Sequence, residues 1–421
     1  MVFGCTWLAN SPIKKLYLSS KKNFRALIFS NCDIVSECIS SVYLETQVPF
    51  IVIIDEYDVL ARDNATKQLF EDYLKLLNAI FKSSSTSSCI ALAYLTGILP
   101  IVRDKFQSKL NNFDEYTIFS SPGMAGLIGF TEEETEQICK DYSLDYQECR
   151  RWYNGYVLNG VNLYAPKSVV TAAKRGKFNS YWTQTPSYEA ILDYIKLDFK
   201  GIREDIQKMI SGEEIDVNIS IYSNTANPDD FKVKDNVFAY LVHLGYLAYN
   251  EDNKTCRIPN YEVKKEWINA IQLSPNMKPL FKLINESKSI LEATWGGDGQ
   301  AAASLLSKTH QSLTSPLSYN NERSFQSAIR LAYIYADSCY TVVSELPTGK
   351  GFADIAFIPF VSNIPAMIVE LKVNGSANTA IDQIKQKNYP QVLEKYRDNL
   401  LLVAISYDRK TKEHECRIDK L

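Results

Sequence analysis

An uninterrupted apolar run, Phe50–Ile54, ends in Asp55 and Glu56 and constrains the fold of the chain more than any other feature. A strand with apolar side chains at every position is typical of a parallel sheet that is covered on both faces. Residues 67–81 carry apolar side chains at helical spacing, and Cys89–Leu95 is a second apolar run. Strand, helix and strand in this order predict an α/β fold, in which ligands bind beyond the carboxyl ends of the strands.

Composition and charge exclude several classes of protein. The chain has 46 Lys and Arg residues against 49 Asp and Glu, so its net charge is −3 and a nucleic-acid site has to be a local patch. Nine scattered cysteines without a CxxC pair, and three histidines, argue against a zinc site and indicate an intracellular, cytoplasmic protein with reduced thiols. No apolar stretch approaches the roughly 20 residues of a membrane helix, so no membrane association is expected.

Sequence patterns divide the chain into three predicted regions. Residues 1–185 hold the first α/β pattern, residues 186–294 are mostly helical, and residues 295–421 form a smaller α/β domain. In the middle region, a helix followed by a hairpin around residues 252–253 has a winged-helix-like outline. The glycine-rich stretch 295–299 is the best linker candidate, and beyond it the predicted elements follow the order α-β-β-β-α-β.

Three charged residues interrupt apolar strands of the last region. Glu370 and Lys372 are two apart in one strand, so they share a face of it. Asp354 lies in the preceding strand, and a short loop between the strands predicts that Asp354 and Glu370 are neighbours. Two carboxylates and an ammonium group suit phosphodiester hydrolysis with Mg²⁺ or Mn²⁺. The alternative is a solvated ion pair, because Glu-x-Lys pairs are common in exposed strands.

The combined pattern resembles the PD-(D/E)xK nuclease superfamily, and more narrowly the C-terminal domain of a family of AAA-ATPase-like proteins. The resemblance covers about residues 320–407 and rests on Gly351–Asp354, Ile368–Lys372 and Ala380–Ile384. It implies a restriction-endonuclease-like α/β domain that acts on nucleic acid, with DNA as the expected substrate.

The resemblance also implies a role for individual residues. Asp354 and Glu370 are the implied metal ligands, and Lys372 is the implied catalytic lysine. Glu322, in the first helix of the domain, is implied as a further acidic ligand. Gln383 and Tyr389 are implied to line the site from the helix that follows the third strand. The implied cofactor is Mg²⁺ or Mn²⁺.

The N-terminal half resembles the ATPase-like domain of the same family. Ile51–Asp58 is similar to its Walker B strand, and Leu95–Ile98, with Thr96, is similar to its sensor strand. Further similar motifs are Gly129–Glu134, Arg151–Tyr156, Tyr164–Ser168, Tyr181–Trp182 and Leu244–Leu247. The resemblance implies that Asp55 coordinates Mg²⁺ and that Glu56 polarises the attacking water.

A motif that such an NTPase needs is missing from the sequence. The phosphate-binding loop GxxxxGK[ST] does not occur, since Gly176-Lys177 is followed by Phe178 and Gly349-Lys350 by Gly351. ATP binding and hydrolysis are therefore not expected, and Asp55 and Glu56 are then inherited residues at a strand end. The missing motif indicates that the chain is truncated or degenerate at its start. We therefore also expect an incomplete P-loop-NTPase-like sheet with an exposed edge, covered by a helical lid.

Three functions are compatible with these patterns. The first is a metal-dependent nuclease fused to an ATPase-like module without its phosphate-binding loop. The second is a non-catalytic relative that binds nucleic acid or protein. The third is an NTPase whose phosphate-binding loop comes from an upstream segment or another chain. Convergence of Glu322, Asp354 and Glu370 would favour the first function over the second.

Overall fold

The structure is a computed structural model of the whole chain. It describes residues 35–62, 66–98, 112–119, 121, 123–182, 191–192, 195–196, 199–219, 233–312, 322–348, 351–386, 391–394 and 396–421. The chain divides into two compact units. Unit 1 holds the described residues of Met1–Ala125 and Asn218–Tyr246, and unit 2 holds those of Gly126–Val217 and Leu247–Leu421. The division into three regions stays a prediction.

The described helices and strands alternate in the first and last parts of the chain, with a mainly helical middle. The helices are α1 (Val35–Thr46), α2 (Val59–Arg62), α3 (Lys67–Phe81), α4 (Ser84–Ser87), α5 (Ala125–Ile128), α6 (Glu132–Asp141), α7 (Tyr146–Tyr153), α8 (Pro166–Arg175), α9 (Ile202–Ser211), α10 (Lys234–His243), α11 (Tyr261–Leu273), α12 (Lys278–Trp295), α13 (Gly299–Ser312), α14 (Glu322–Ala332), α15 (Ala377–Gln386) and α16 (Gln391–Glu394). Among the described residues, 3-10 helices span Pro275–Met277, Ile334–Ser338 and Arg397–Asn399. The strands are β1 (Phe50–Ile54), β2 (Ile90–Leu95), β3 (Tyr156–Leu158), β4 (Val161–Leu163), β5 (Ile215–Asp216), β6 (Ala248–Asn250), β7 (Thr255–Arg257), β8 (Tyr340–Thr348), β9 (Gly351–Pro359), β10 (Ala366–Val373), β11 (Leu400–Asp408) and β12 (Glu413–Lys420).

In unit 1, β1 and β2 pair directly and in parallel, and α3 lies between them in the sequence. Side chains on one face of the pair, including Val52 and Ile54, pack on the cluster around Leu77 and Ile80 of α3. The other face is 43–57% exposed at four apolar positions, Ile51, Ile53, Leu92 and Tyr94. The prediction that β1 is covered on both faces is therefore wrong in the described part of the chain, because α1 and α3 pack on one face only.

None of the described helices combines the length and apolar character that a membrane crossing requires.

The helical part of unit 2 is organised around a buried carboxylate, Glu262, in the first turn of α11. Its Oε2 accepts the Ser168 hydroxyl at 2.8 Å, and its Oε1 accepts the backbone amides of Tyr181 and Trp182. Burial raises the pKa of Glu262, and these three hydrogen bonds oppose that shift. One carboxylate thus joins α8, α11 and the segment that carries Tyr181 and Trp182.

Replacing Glu262 with alanine is expected to lower the free energy of unfolding by about 2–4 kcal/mol, because the substitution leaves buried donors without their acceptor. Urea denaturation measures this change. Glu251, exposed on the β6–β7 hairpin, is the matched control, and its alanine variant should unfold within about 0.5 kcal/mol of the wild type. Equal stability of the two variants would show that the Glu262 hydrogen bonds do not hold these segments.

The C-terminal part of unit 2 is a five-stranded mixed sheet in the order β12-β11-β10-β9-β8. β10 and β11 run parallel, and the other neighbours are antiparallel. One face packs on α12 and α14 through a cluster that includes Phe325, Ile329 and Val369. The other face packs on α15 through a cluster that includes Ile368 and Ile381. The predicted order of a helix, three strands, a helix and a strand is confirmed.

The strand β12 was not predicted, although it forms an edge of the sheet. Its residues alternate, with His414 buried between the exposed Glu413 and Glu415. An edge strand with charged residues on its solvent face lacks the apolar run that identified the other strands. The glycine-rich stretch 295–299 forms the turn between α12 and α13, and both helices belong to unit 2.

Candidate active site

The pairing of β9 with β10 brings two of the predicted site residues to adjacent strands. The antiparallel register pairs Met367 with Phe357 and Val369 with Ile355, and there the pairing ends. One further step in the same register sets Glu370 opposite Asp354. The predicted neighbours therefore lie where the two strands begin to separate.

Asp354 sits at an irregularity that β8 and β9 share. Glu345 on β8 has a φ of 54°, in the left-handed region that residues other than glycine seldom adopt, and the pairing of the two strands skips Glu345 and Asp354. Val343 and Leu346 consequently lie on the same face of the sheet although they are three residues apart. An irregularity of this kind redirects a side chain, and here the redirected side chain is that of Asp354.

The carboxylate of Asp354, on β9, forms a hydrogen bond with the backbone of β10. Its Oδ2 accepts the backbone amide of Leu371 at 2.7 Å. This amide lies just beyond the last paired residue of β10, Val369, so a side chain replaces the neighbouring strand as its acceptor. The hydrogen bond fixes one oxygen of Asp354 beside the backbone of the Glu370–Lys372 segment.

Glu370 and Lys372 occupy the face of β10 that carries Ile368 and packs on α15, whereas Leu371 points to the opposite core. Glu370 is 5% exposed and Lys372 is partly buried. An ideal Cβ on Gly375 would lie 3.2 Å from the Cβ of Lys372, so this glycine packs closely on the stem of the lysine. A solvated ion pair on an exposed face does not describe this arrangement, because the glutamate is buried.

The helix α15 begins next to this pair. Ser406 is the β11 partner of Lys372, and its hydroxyl donates to Oε2 of Glu415 at 3.3 Å. The same oxygen accepts the backbone amide of Ala377, the first residue of α15, at 3.1 Å. A carboxylate at a helix N-terminus is a stabilising arrangement, and it fixes the start of the helix that carries Gln383.

The other predicted site residues are only partly described. Glu322 and Gln383 lie in α14 and α15, and their side chains are outside the described part of the structure, as is Tyr389. Among the side chains that are described, no group of three or more His, Cys, Asp and Glu residues is arranged to hold a metal ion. Of the predicted site residues, the structure therefore describes the side chains of Asp354, Glu370 and Lys372.

Sequence reasoning did not identify Gln326, which touches the site. Its Nε2 donates to the backbone oxygen of Asp354 at 2.6 Å. A signal was present, because Gln326 follows Glu322 by four residues and therefore lies on the same face of α14.

The donor set is compatible with a hard divalent cation. Mg²⁺ and Mn²⁺ favour carboxylate oxygens, and Asp354 and Glu370 supply them from neighbouring strands. A buried carboxylate near a second one is unfavourable unless positive charge compensates it. Lys372 lies on the same face and would provide such compensation, as would a divalent ion.

In unit 1, the structure brings Asp55 and Thr96 together at the carboxyl ends of β1 and β2. Oδ1 of Asp55 accepts the Thr96 hydroxyl and also the backbone amide of Glu56, the latter at 3.0 Å. Glu56 itself has a φ of 52°. These contacts tie the two strand ends together, as expected for residues at the edge of a parallel sheet.

Two parts of the chain match families of known proteins. Residues 320–416 match the PD-(D/E)XK nuclease superfamily, and residues 12–107 match a predicted AAA-ATPase family. The chain carries a PD-(D/E)XK superfamily domain. It also carries an AAA-ATPase-like domain. The PD-(D/E)XK match includes α14 and β8 to β11, and therefore every element that positions Asp354, Glu370 and Lys372.

A more extended similarity covers both domains. An uncharacterized protein in the vnfD 5′ region of Azotobacter chroococcum mcd 1 is 22% identical over 386 residues, which is 86% of this chain and 70% of that protein. No solved structure matches the chain. The matched residues 320–416 contain Asp354 and Glu370-Leu371-Lys372.

Proposed function

We propose that the PD-(D/E)XK domain is a metal-dependent nuclease that hydrolyses phosphodiester bonds in DNA. The observation that supports this most strongly is the hydrogen bond from the Leu371 amide to Asp354, which holds one carboxylate beside the Glu370–Lys372 pair. On a solvent-exposed strand, the Leu371 amide would not need an acidic side chain as its acceptor in place of a backbone oxygen.

Each residue of the proposed site has a separate task. Asp354 and Glu370, on adjacent strands, would hold Mg²⁺ or Mn²⁺. When bound, such an ion would supply Lewis-acid activation of a water molecule and compensation of negative charge on the phosphate. Lys372, packed under Gly375, orients the attacking water and donates to a phosphate oxygen. Glu322 and Gln383, from the helices on either side of the sheet, complete the proposed site, and Tyr389 lines it.

We also propose that the AAA-ATPase-like domain does not hydrolyse ATP. Support comes from the sequence, which has no GxxxxGK[ST] loop to bind the triphosphate. In the described residues, Oδ1 of Asp55 already accepts hydrogen bonds from Thr96 and the Glu56 amide. On this proposal Asp55, Glu56 and Thr96 stabilise the ends of β1 and β2 instead of binding a nucleotide.

Incubation of the purified protein with supercoiled and linear DNA tests the nuclease proposal. Cleavage is expected with Mg²⁺ or Mn²⁺, none is expected with excess EDTA, and addition of excess Mg²⁺ should restore it, because the carboxylates need a cation between them. Gel electrophoresis over a time course gives the rates. Cleavage that is unaffected by EDTA would contradict the proposed metal site.

A non-catalytic function in nucleic-acid binding is the second candidate. It is favoured by the absence, among the described side chains, of a group of three or more metal ligands. The same samples distinguish the two candidates, because the second predicts retardation of DNA in a gel without cleavage under any metal condition. Retardation of this kind should decrease with salt concentration, since it depends on phosphate contacts.

A further inference from the structure

One face of α14 carries three polar residues at intervals of four, Glu322, Gln326 and Arg330. The middle residue, Gln326, donates to the backbone oxygen of Asp354 at 2.6 Å. This oxygen belongs to the residue at which the β8–β9 pairing is interrupted. The helix therefore contacts the candidate site at the point where the sheet is least regular.

Arg330 holds the same helix against α9. Its Nε donates to the backbone oxygen of Ser211, the last residue of α9, at 3.2 Å. An ideal Cβ on the next residue, Gly212, would lie 2.8 Å from Nη2 of Arg330, and the φ of Gly212 is 93°. A guanidinium at a helix C-terminus interacts favourably with the helix dipole, so this contact both orders and orients Arg330.

The segment just after α14 is held by two further cations. Lys264 of α11 forms an ion pair with the carboxylate of Asp337, and Nη1 of Arg151 donates to the backbone oxygen of Asp337 at 3.1 Å. The guanidinium of Arg151 also lies 4.2 Å from the ring centre of Tyr261 and 4.1 Å from that of Phe360. Helices α7, α9 and α11 thus fix the position of α14 relative to the sheet.

We propose that Gln326 and Arg330 are positioning residues that set the place of Asp354 for metal binding. Arg330 holds α14 in place through its hydrogen bond to the end of α9. Gln326 in turn holds the backbone of Asp354 against α14. The carboxylate of Asp354 then meets the Leu371 amide in the geometry that is observed. This inference rests on the proposed nuclease function for its consequence, but its structural part does not depend on a bound metal.

Arg330→Met and Gln326→Met test the inference, because methionine keeps most of the length and removes the donors. Hydrogen exchange, read by mass spectrometry on peptides that contain Leu371, should be about tenfold faster in both variants without any metal. The Mg²⁺ concentration for half-maximal cleavage should rise about 10- to 100-fold, as for other residues that orient metal ligands, with the rate at saturating Mg²⁺ largely kept. Arg330→Lys, which keeps the charge and a hydrogen-bonding ammonium group, should restore part of both changes.

Tyr181→Phe is the matched control for a general loss of stability. It removes the 2.6 Å hydrogen bond from the Tyr181 hydroxyl to the backbone oxygen of Lys177, in the same unit but in a hydrophobic cluster that contains neither Leu371 nor a residue of α14. It should leave both Leu371 exchange and the Mg²⁺ requirement unchanged. If Gln326→Met and Arg330→Met also leave both unchanged, the inference is overturned while the nuclease proposal stands. If the wild type does not cleave DNA, the nuclease proposal fails, and the exchange of Leu371 still decides whether Gln326 and Arg330 position Asp354.

Discussion

Replacing Glu370 with glutamine is expected to reduce metal-dependent DNA cleavage by about a hundredfold or more. The variant removes one charged ligand of the proposed site, and each factor of ten corresponds to about 1.4 kcal/mol of lost transition-state stabilisation. Glu370 is buried, so its isosteric amide should fill the same space in the sheet. Initial rates on supercoiled DNA, measured over a range of Mg²⁺ concentrations, give the effect.

Lys372→Met should cause a loss of similar size, because the lysine acts on the same phosphate. Lys385→Met is the matched control, since Lys385 lies in the neighbouring α15 but forms an ion pair with Asp419 at 2.7 Å. Both variants lose one positive charge, so a difference between them reports the site and not the overall attraction of DNA. Equal rates in Glu370→Gln and the wild type would contradict the assignment of the site.

Asp354→Asn and Asp354→Ala are expected to separate two roles of one side chain. Asparagine keeps an oxygen for the Leu371 amide but loses the charge, so its free energy of unfolding should stay within about 0.5 kcal/mol of the wild type. Alanine removes the acceptor as well, which should cost about 1–3 kcal/mol. Both variants should cleave DNA about a hundredfold more slowly, because both lose a charged metal ligand.

Urea denaturation and cleavage assays on the same preparations make this comparison. Equal losses of stability in the two variants would show that the hydrogen bond to Leu371 contributes nothing to the sheet. Full cleavage activity in Asp354→Asn would show that the charge of Asp354 is not needed. The proposed site requires an asparagine variant that is as stable as the wild type but cleaves DNA much more slowly.

The main elements of the C-terminal sheet could be predicted from the sequence because their patterns are local. The run from Met367 to Val373 is apolar except at two positions, and strand periodicity alone places Glu370 and Lys372 on one face. The order of the elements then predicts that Asp354 lies on the neighbouring strand. The helix α3 was predicted at its observed bounds for the same reason, since its apolar spacing is regular.

The remaining features of the site depend on contacts between distant residues. The left-handed conformation of Glu345 has no signal in the local sequence, because glycine or asparagine is the usual residue there. The hydrogen bond from Gln326 to Asp354 joins residues that only the packing of α14 on the sheet brings together. The exposed face of β1 could not be predicted either, since a continuous apolar run does not show how many faces are covered.

Anomalous diffraction from crystals soaked in Mn²⁺ tests the central claim most directly. We predict a single strong peak in contact with carboxylate oxygens of both Asp354 and Glu370, and its loss in crystals of Glu370→Gln. A well-occupied peak elsewhere, or no peak at this pair in crystals whose Mn²⁺ concentration supports cleavage in solution, would contradict the proposed site.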